Sequence, residues 1–155
     1  MAIPEARPDT TLRLERKLAA PPERVFAAWT TPEALIRWFG PGDQYTCTVL
    51  AMDVRPGGEY RFQMRHSGGN AHEVFGTYRE VQPPSRLSFT WAWAANPERG
   101  VTDVTVELHA EGAGTRLLLT HERFPNTEVR DAHAAGWTPG LDKMVAMFAP
   151  ALPRA

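Results

Sequence analysis

Two histidines, His121 and His133, carry the strongest case for chemistry in this sequence. An imidazole titrates near neutrality and serves as a general base once a substrate proton lies within reach. His121 closes the run Thr115 to His121, in which Leu117, Leu119 and His121 share one face by strand alternation. His133 lies about two turns into the helical pattern that follows, roughly 9 Å along its axis, and His121 a similar distance before the connection, so the two could meet at one depth. Tyr78 could then help hold an oxyanion. The competing reading is a hydrogen-bonded structural histidine. Glu122 points outward by alternation, which weakens a simple His121–Glu122 dyad and leaves Asp131 or a tyrosine as partner.

The other reactive side chains give less. His66 and His72 flank the Ser67–Asn70 turn and could face each other, but two imidazoles without a third ligand make a poor metal site, so solvated turn histidines are expected. Asp131 and His133 have no second histidine one helical turn further on, and non-haem iron is not expected. Cys47 is the only cysteine, so no intramolecular disulfide forms and a Cys-based zinc or iron–sulfur site lacks ligands. It stands in a strand pattern without an adjacent histidine and reads as a small buried hydrophobe. Gly-x-Ser-x-Gly, the phosphate-binding Walker loop and the dinucleotide fingerprint are all absent. No cofactor, no metal and no assigned catalytic residue is the expectation, with His121, His133 and Tyr78 kept for an enzyme alternative.

The 155 residues, 43% hydrophobic and 23% charged, suit one domain, 1–155, with a core over about 10–148. Net charge is −1 from 17 basic and 18 acidic residues with no basic block, which argues against nucleic acid and anionic membranes as partners. The N-terminus lacks the apolar core of a signal peptide, and the longest apolar stretch, Met144 to Leu152, is interrupted by Pro150 and too short to span a bilayer. With a lone cysteine this predicts a soluble cytoplasmic protein. The Pro-rich ends, Met1 to Pro8 and Pro150 to Ala155, read as frayed.

Between the ends, apolar and polar residues alternate in a series of strands. Thr10 to Leu18 is a half-buried strand; Val25, Phe26 and Trp29 recur at helical spacing after Pro21-Pro22, and Thr31-Pro32 starts a second short helical turn carrying Leu35, Ile36, Trp38 and Phe39. Six strands follow: Tyr45 to Val54, Tyr60 to Arg65, His72 to Val81, Arg86 to Trp93, Thr102 to Ala110 and Thr115 to His121, separated by turn residues. Leu87, Phe89, Trp91 and Trp93 fall on one face. Asn126 or Thr127 caps a final long helix with a Trp137, Leu141, Met144, Val145, Phe148 stripe, weakened by Gly136, Pro139 and Gly140, so a kink or loose turn near Trp137 is expected.

That order predicts an α+β fold: a curved antiparallel sheet of about seven strands around one long helix. A lone helix is about 10 Å across and cannot fill the concave side of such a sheet, so the remaining space holds large side chains or a cavity. The predicted lining is Trp29, Trp38, Phe39, Tyr60, Phe62, Met64, Tyr78, Phe89, Trp91, His121, Trp137, Leu141 and Met144. Plain core packing is the alternative for each. Trp38 and Phe39, closed by Gly40-Pro41, read as its lid or mouth.

Glu23-Arg-Val-Phe-Ala-Ala-Trp29, Trp38-Phe-Gly-Pro41, Gly76-Thr-Tyr-Arg-Glu-Val81 with Pro83-Pro-Ser-Arg-Leu87, Gly114-Thr-Arg-Leu-Leu-Leu-Thr-His-Glu-Arg-Phe124, and Gly136-Trp137 through Leu141-Asp-Lys143 occur in order. Over roughly Thr10 to Phe148 the chain resembles the SRPBCC or START-like superfamily, and within it bacterial homologues of the activator of the heat-shock-protein-90 ATPase. The resemblance implies the helix-grip (Bet v 1-like) fold and a cavity between sheet and long helix for a small, largely apolar molecule. Superfamily members include lipid carriers, hormone-binding proteins, polyketide cyclases and oxygenase domains, so it implies no single activity. The eukaryotic co-chaperone carries an additional N-terminal domain for which this length has no room, which argues against a chaperone partner.

The function expected is binding of a small hydrophobic ligand, aromatic, lipid or polyketide-like. One alternative is a cyclase, dehydratase or hydrolase using His121 or His133 as base. Another is a protein-binding module in which Trp38, Phe39 and Pro41 form an exposed patch for a partner or for a second copy of this chain, giving a homodimer.

Overall fold

Alternation of inward apolar and outward polar side chains runs through most of the strands, and the turns between them are short enough to pair neighbours in sequence. The computed structural model describes residues 10–40 and 42–149; the Pro-rich ends and Pro41 lie outside the described residues. The elements are β1 (Leu12–Leu18), α1 (Pro22–Thr30), α2 (Pro32–Leu35), β2 (Tyr45–Met52), β3 (Glu59–His66), β4 (Ala71–Gln82), β5 (Arg86–Trp93), a 3₁₀ turn (Pro97–Arg99), β6 (Thr102–Glu111), β7 (Gly114–Glu122) and α3 (Thr127–Phe148). The strands form one antiparallel sheet in the order β1-β7-β6-β5-β4-β3-β2. Only β1 is out of sequence, because α1 and α2 carry the chain from its end of the sheet to the far edge.

The sheet curls so that one face buries Tyr60, Phe62, Val74, Leu87, Phe89, Val104, Val106, Leu117 and Leu119. Its outer face carries ion pairs such as Arg86 with Glu80 and Glu107, each at 2.7 Å and partly exposed, which contribute little apiece. The helices close the inner face. α1 and α2 have nine and four residues, too short to persist alone. Val25, Ala28, Trp29 and Leu35 are buried beneath them, and Trp38 Nε1 donates to the Ala28 carbonyl at 2.9 Å, tying the segment after α2 back onto α1.

Asn126 is the residue that caps α3, its side-chain oxygen accepting from the Val129 N–H at 2.9 Å. α3 is helical from Thr127 to Phe148 with Pro139 inside it, so the weak segment near Trp137 does not end the helix. An interior proline costs a helix about 3 kcal/mol. Burial of Trp137, Leu141 and Met144 against the sheet, at about 1.5–3 kcal/mol for each such side chain, offsets it. Arg16 of β1 also reaches Asp142 at 3.1 Å, anchoring the far half of α3. Among the described residues no helix is long and apolar enough to cross a membrane.

Candidate functional site

At the end of the bowl where β5 leaves the sheet, the interior is not filled. A cleft of about 110 Å³ lies between the segment Trp38–Gly40, Met64 of β3, Trp91 and Trp93 of β5, Arg99 of the 3₁₀ turn, and Ala132, His133, Gly136, Trp137 and Gly140 of α3. Strand parity turns Trp91 and Trp93 to the same side, and their rings meet edge to face at 5.5 Å. On α3, Ala132, Gly136 and Gly140 stand at i, i+4 and i+8, one stripe of small residues facing the opening. Gly140 also lets the helix approach the mouth: a Cβ there would lie 3.0 Å from the Trp38 carbonyl oxygen and 3.1 Å from that of Gly40. Lys143, one turn on, donates to the Gly42 carbonyl at 3.0 Å and holds the same loop.

The walls are stacked aromatics. Trp91 and Trp137 have centroids 5.0 Å apart, Phe39 meets Trp137 edge-on at 6.0 Å, and Trp29 lies 4.5 Å from Trp38 behind them. Such pairs add to the energy of burial and hold each ring in one place.

His121 and His133 do meet, with ring centroids 5.3 Å apart and edge to face. Both are buried, and both are fully hydrogen-bonded. His121 Nδ1 accepts from Trp137 Nε1 at 3.1 Å, so the proton is on Nε2, which donates to Thr102 Oγ1 at 2.7 Å; Thr102 in turn donates to the Trp91 carbonyl at 3.3 Å. His133 has the opposite tautomer: Nε2 accepts from Trp93 Nε1 at 2.9 Å and Nδ1 donates to the Val129 carbonyl at 2.8 Å. Each imidazole therefore spends its lone pair on an indole N–H. Burial pushes the His121 pKa well below its ordinary value and the neighbouring His133 pushes it further. His133 is also pushed down, chiefly by burial, against the hydrogen bond to Val129 and with the Arg99 charge acting in the same sense as burial.

Four indoles border the cleft, and three have acceptors: Trp38 on Ala28, Trp93 on His133 and Trp137 on His121. The fourth, Trp91 Nε1, is buried without one. An unpaired buried donor costs about 1–3 kcal/mol. Trp29 Nε1 is also unpaired, against a separate void of about 10 Å³, room for no more than one water.

Of the residues expected to line a cavity, Trp38, Phe39, Met64, Trp91 and Trp137 are brought together around the cleft. Trp29, Tyr60, Phe62, Tyr78 and Phe89 border the small void instead, where the bowl is nearly solid. His121, Leu141 and Met144 are buried at 0%, 1% and 0% exposure and border neither. Tyr60 donates its hydroxyl to the Thr90 carbonyl, and its pKa is pushed up by burial and then by Tyr78. Tyr78 is pushed up likewise by burial and then by Asp53, so neither phenol is an easy acid.

Two expectations are overturned. Trp38 and Phe39, at 1% and 6% exposure, are not a surface patch, because both rings turn inward to pack on Trp29, Trp91 and Trp137; Pro41 lies outside the described residues. Among the described residues the exposed large apolar side chains are Ile36, Leu50 and Val101. His66 and His72 do not face each other: β3–β4 register sets His72 opposite Met64, while His66 binds Gln44 at 2.8 Å. Among the described residues no three potential metal ligands gather. Burial pushes the Cys47 thiol up to about 12, which leaves it inert as a nucleophile.

Sequence reasoning did not place Trp93, Arg99, Ala132, Gly136 or Gly140 at the site. Trp93 carried a signal, since it shares a strand face with Trp91. The small residues of α3 carried one too, in their four-residue spacing. Arg99 carried none, because a turn has no periodicity to read.

Residues 19–149 match the family described as Activator of Hsp90 ATPase homolog 1-like protein. No curated protein matches the chain. Among solved structures, a Chromobacterium violaceum protein is 31% identical with a TM-score of 0.84, the match covering 92% of this chain and 99% of that one. The AHSA1 protein of Silicibacter pomeroyi is 29% identical with a TM-score of 0.78, covering 88% and 96%. A Rhodobacter sphaeroides protein is 27% identical with a TM-score of 0.75, covering 89% and 91%.

Proposed function

This chain belongs to the Activator of Hsp90 ATPase homolog 1-like protein family, and on that premise we propose that it binds a small flat apolar molecule, one aromatic ring in size, in the cleft beside α3. The observation that carries this is the cleft itself: an interior otherwise packed with rings stays open where three small residues of one helix face four indoles. Apolar concavities with a few polar tips are the usual form of a ligand site. Size narrows the guest. A dry apolar cavity of about 150 Å³ takes up benzene, and about 110 Å³ open at one side favours a guest whose buried part is one ring in size.

An enzyme using His121 or His133 as base has less support, because both lone pairs are engaged by indole N–H groups and His121 is cut off from solvent. A protein-binding module resting on Trp38 and Phe39 loses its patch to their burial.

Toluene titration followed through the indole N–H resonances tests the reading. The signals of Trp38, Trp91, Trp93 and Trp137 are expected to shift and that of Trp29 to stay. Gly136→Leu, which fills the cleft, is expected to weaken binding at least about tenfold without lowering Tm, since leucine is a better helix former than glycine by roughly 0.8 kcal/mol. Unchanged affinity in that variant would remove the cleft as the site.

A further inference from the structure

Deepening the reading of the cleft as a ligand site, and resting on it, we propose that the ligand is an aromatic anion: a single ring carrying a carboxylate, with the ring between Trp91 and α3 and the carboxylate on Arg99. The lining is apolar apart from a few groups, and those groups are donors. Arg99 borders the cleft from the 3₁₀ turn, and among the described residues its guanidinium makes no ion pair or side-chain hydrogen bond. Several other arginines are neutralised by carboxylates, Arg16 by Asp142, Arg61 by Glu73, Arg86 by Glu80 and Glu107 and Arg123 by Asp103, whereas Arg24 lies over the Phe148 ring and Arg65 bonds the Gly69 carbonyl; Arg99 differs from these in bordering the cleft. The carboxylate next to Arg99 in the chain, Glu98, turns to the Asn96 amide at 3.1 Å.

Trp91 offers the ring a stacking surface. It is 5% exposed, forms the cleft wall, and is the one bordering indole whose N–H lacks an acceptor. The other polar groups of the lining do not compete for an anion, because both nitrogens of His133 are already bonded. A neutral ring would fill the cleft but leave the Arg99 guanidinium idle. A ring with a carboxylate at its edge supplies acceptors to a guanidinium suited to two parallel N–H···O bonds, while its face stacks on Trp91.

The test compares phenylacetate with its neutral isostere phenylacetamide by titration calorimetry at low ionic strength, on wild type, Arg99→Gln and Arg99→Lys. Arg99 is exposed on a short turn, so the variants are expected to melt with the wild type. The expected result is phenylacetate bound about tenfold more tightly than the amide, the preference lost in Arg99→Gln, partly kept in Arg99→Lys and reduced by added salt. The amide affinity is expected to change by a much smaller factor than the phenylacetate affinity across the three proteins. Equal binding of acid and amide to wild type would overturn the anionic ligand and leave the aromatic cleft standing. Binding of neither would overturn both.

Discussion

Gly76→Ala is expected to destabilise the protein by about 3 kcal/mol, the upper end of what overpacking costs. At this chain length that is a fall in Tm of roughly 6–12 °C. Gly76 lies in β4 opposite Tyr60 of β3, where β4–β5 pairing is interrupted between Phe75↔Ala92 and Tyr78↔Phe89. A Cβ there would lie 2.0 Å from the Thr90 carbonyl oxygen and 2.8 Å from Thr90 Oγ1. Both atoms are committed: the carbonyl accepts from the Tyr60 hydroxyl, and Oγ1 accepts from the Thr77 N–H at 2.8 Å. The methyl group meets backbone, so the strands must part and break at least one of these bonds. Thr90 is followed by Trp91 in β5, and ligand affinity is expected to fall with stability. Gly42→Ala, where nothing lies within 4 Å, is the control and is expected to melt with the wild type. Equal thermal melts for Gly76→Ala and wild type would show that the strands do not approach this closely.

Acidification is expected to cost the fold nearly as much. His121 and His133 both have folded-state pKa values below the usual imidazole range, so below a pH of about 6.5 the unfolded chain binds protons that the folded chain refuses. Stability from these groups is complete above that pH. It is lost as pH falls toward the folded values, at up to about 1.4 kcal/mol per pH unit for each histidine while both stay neutral. The sign is opposite to that of a histidine stabilised by a carboxylate, because protonation here breaks an acceptor bond: Trp137 loses its partner on His121, or Trp93 its partner on His133. Protonating both would also set two like charges 5.3 Å apart. Urea unfolding at neutral and mildly acidic pH measures the loss, and the imidazole NMR signals assign it. Either buried histidine titrating at or above pH 6.5 in the folded protein would contradict the tautomers deduced from its bonds.

The family words and the element order were readable because they are local. Alternation at Leu117, Leu119 and His121 correctly turned all three inward, and the two-turn offset of His133 correctly brought it to the same depth. What those positions do was not readable. A histidine with a free lone pair and one bonded to an indole have the same sequence, and only the placement of Trp93 and Trp137 within hydrogen-bonding distance tells them apart. Gly136 and Gly140 were read as flaws in a helix, by propensity alone. In the fold they make room for the cleft and allow the helix to approach the Trp38 and Gly40 carbonyls. Pro139 raised the same expectation of weakness, which burial of the surrounding stripe overrode.

By itself the chain determined which side chains point inward, where the strands turn and about where the last helix begins, since dihedral preference and periodicity act between residues a few positions apart. Which inward rings border open space, which indoles keep an unused N–H and which arginine borders the opening were decided only when the distant elements of the chain met. A void is the difference between the volume those distant pieces enclose and the volume their side chains fill, and no local pattern encodes that difference.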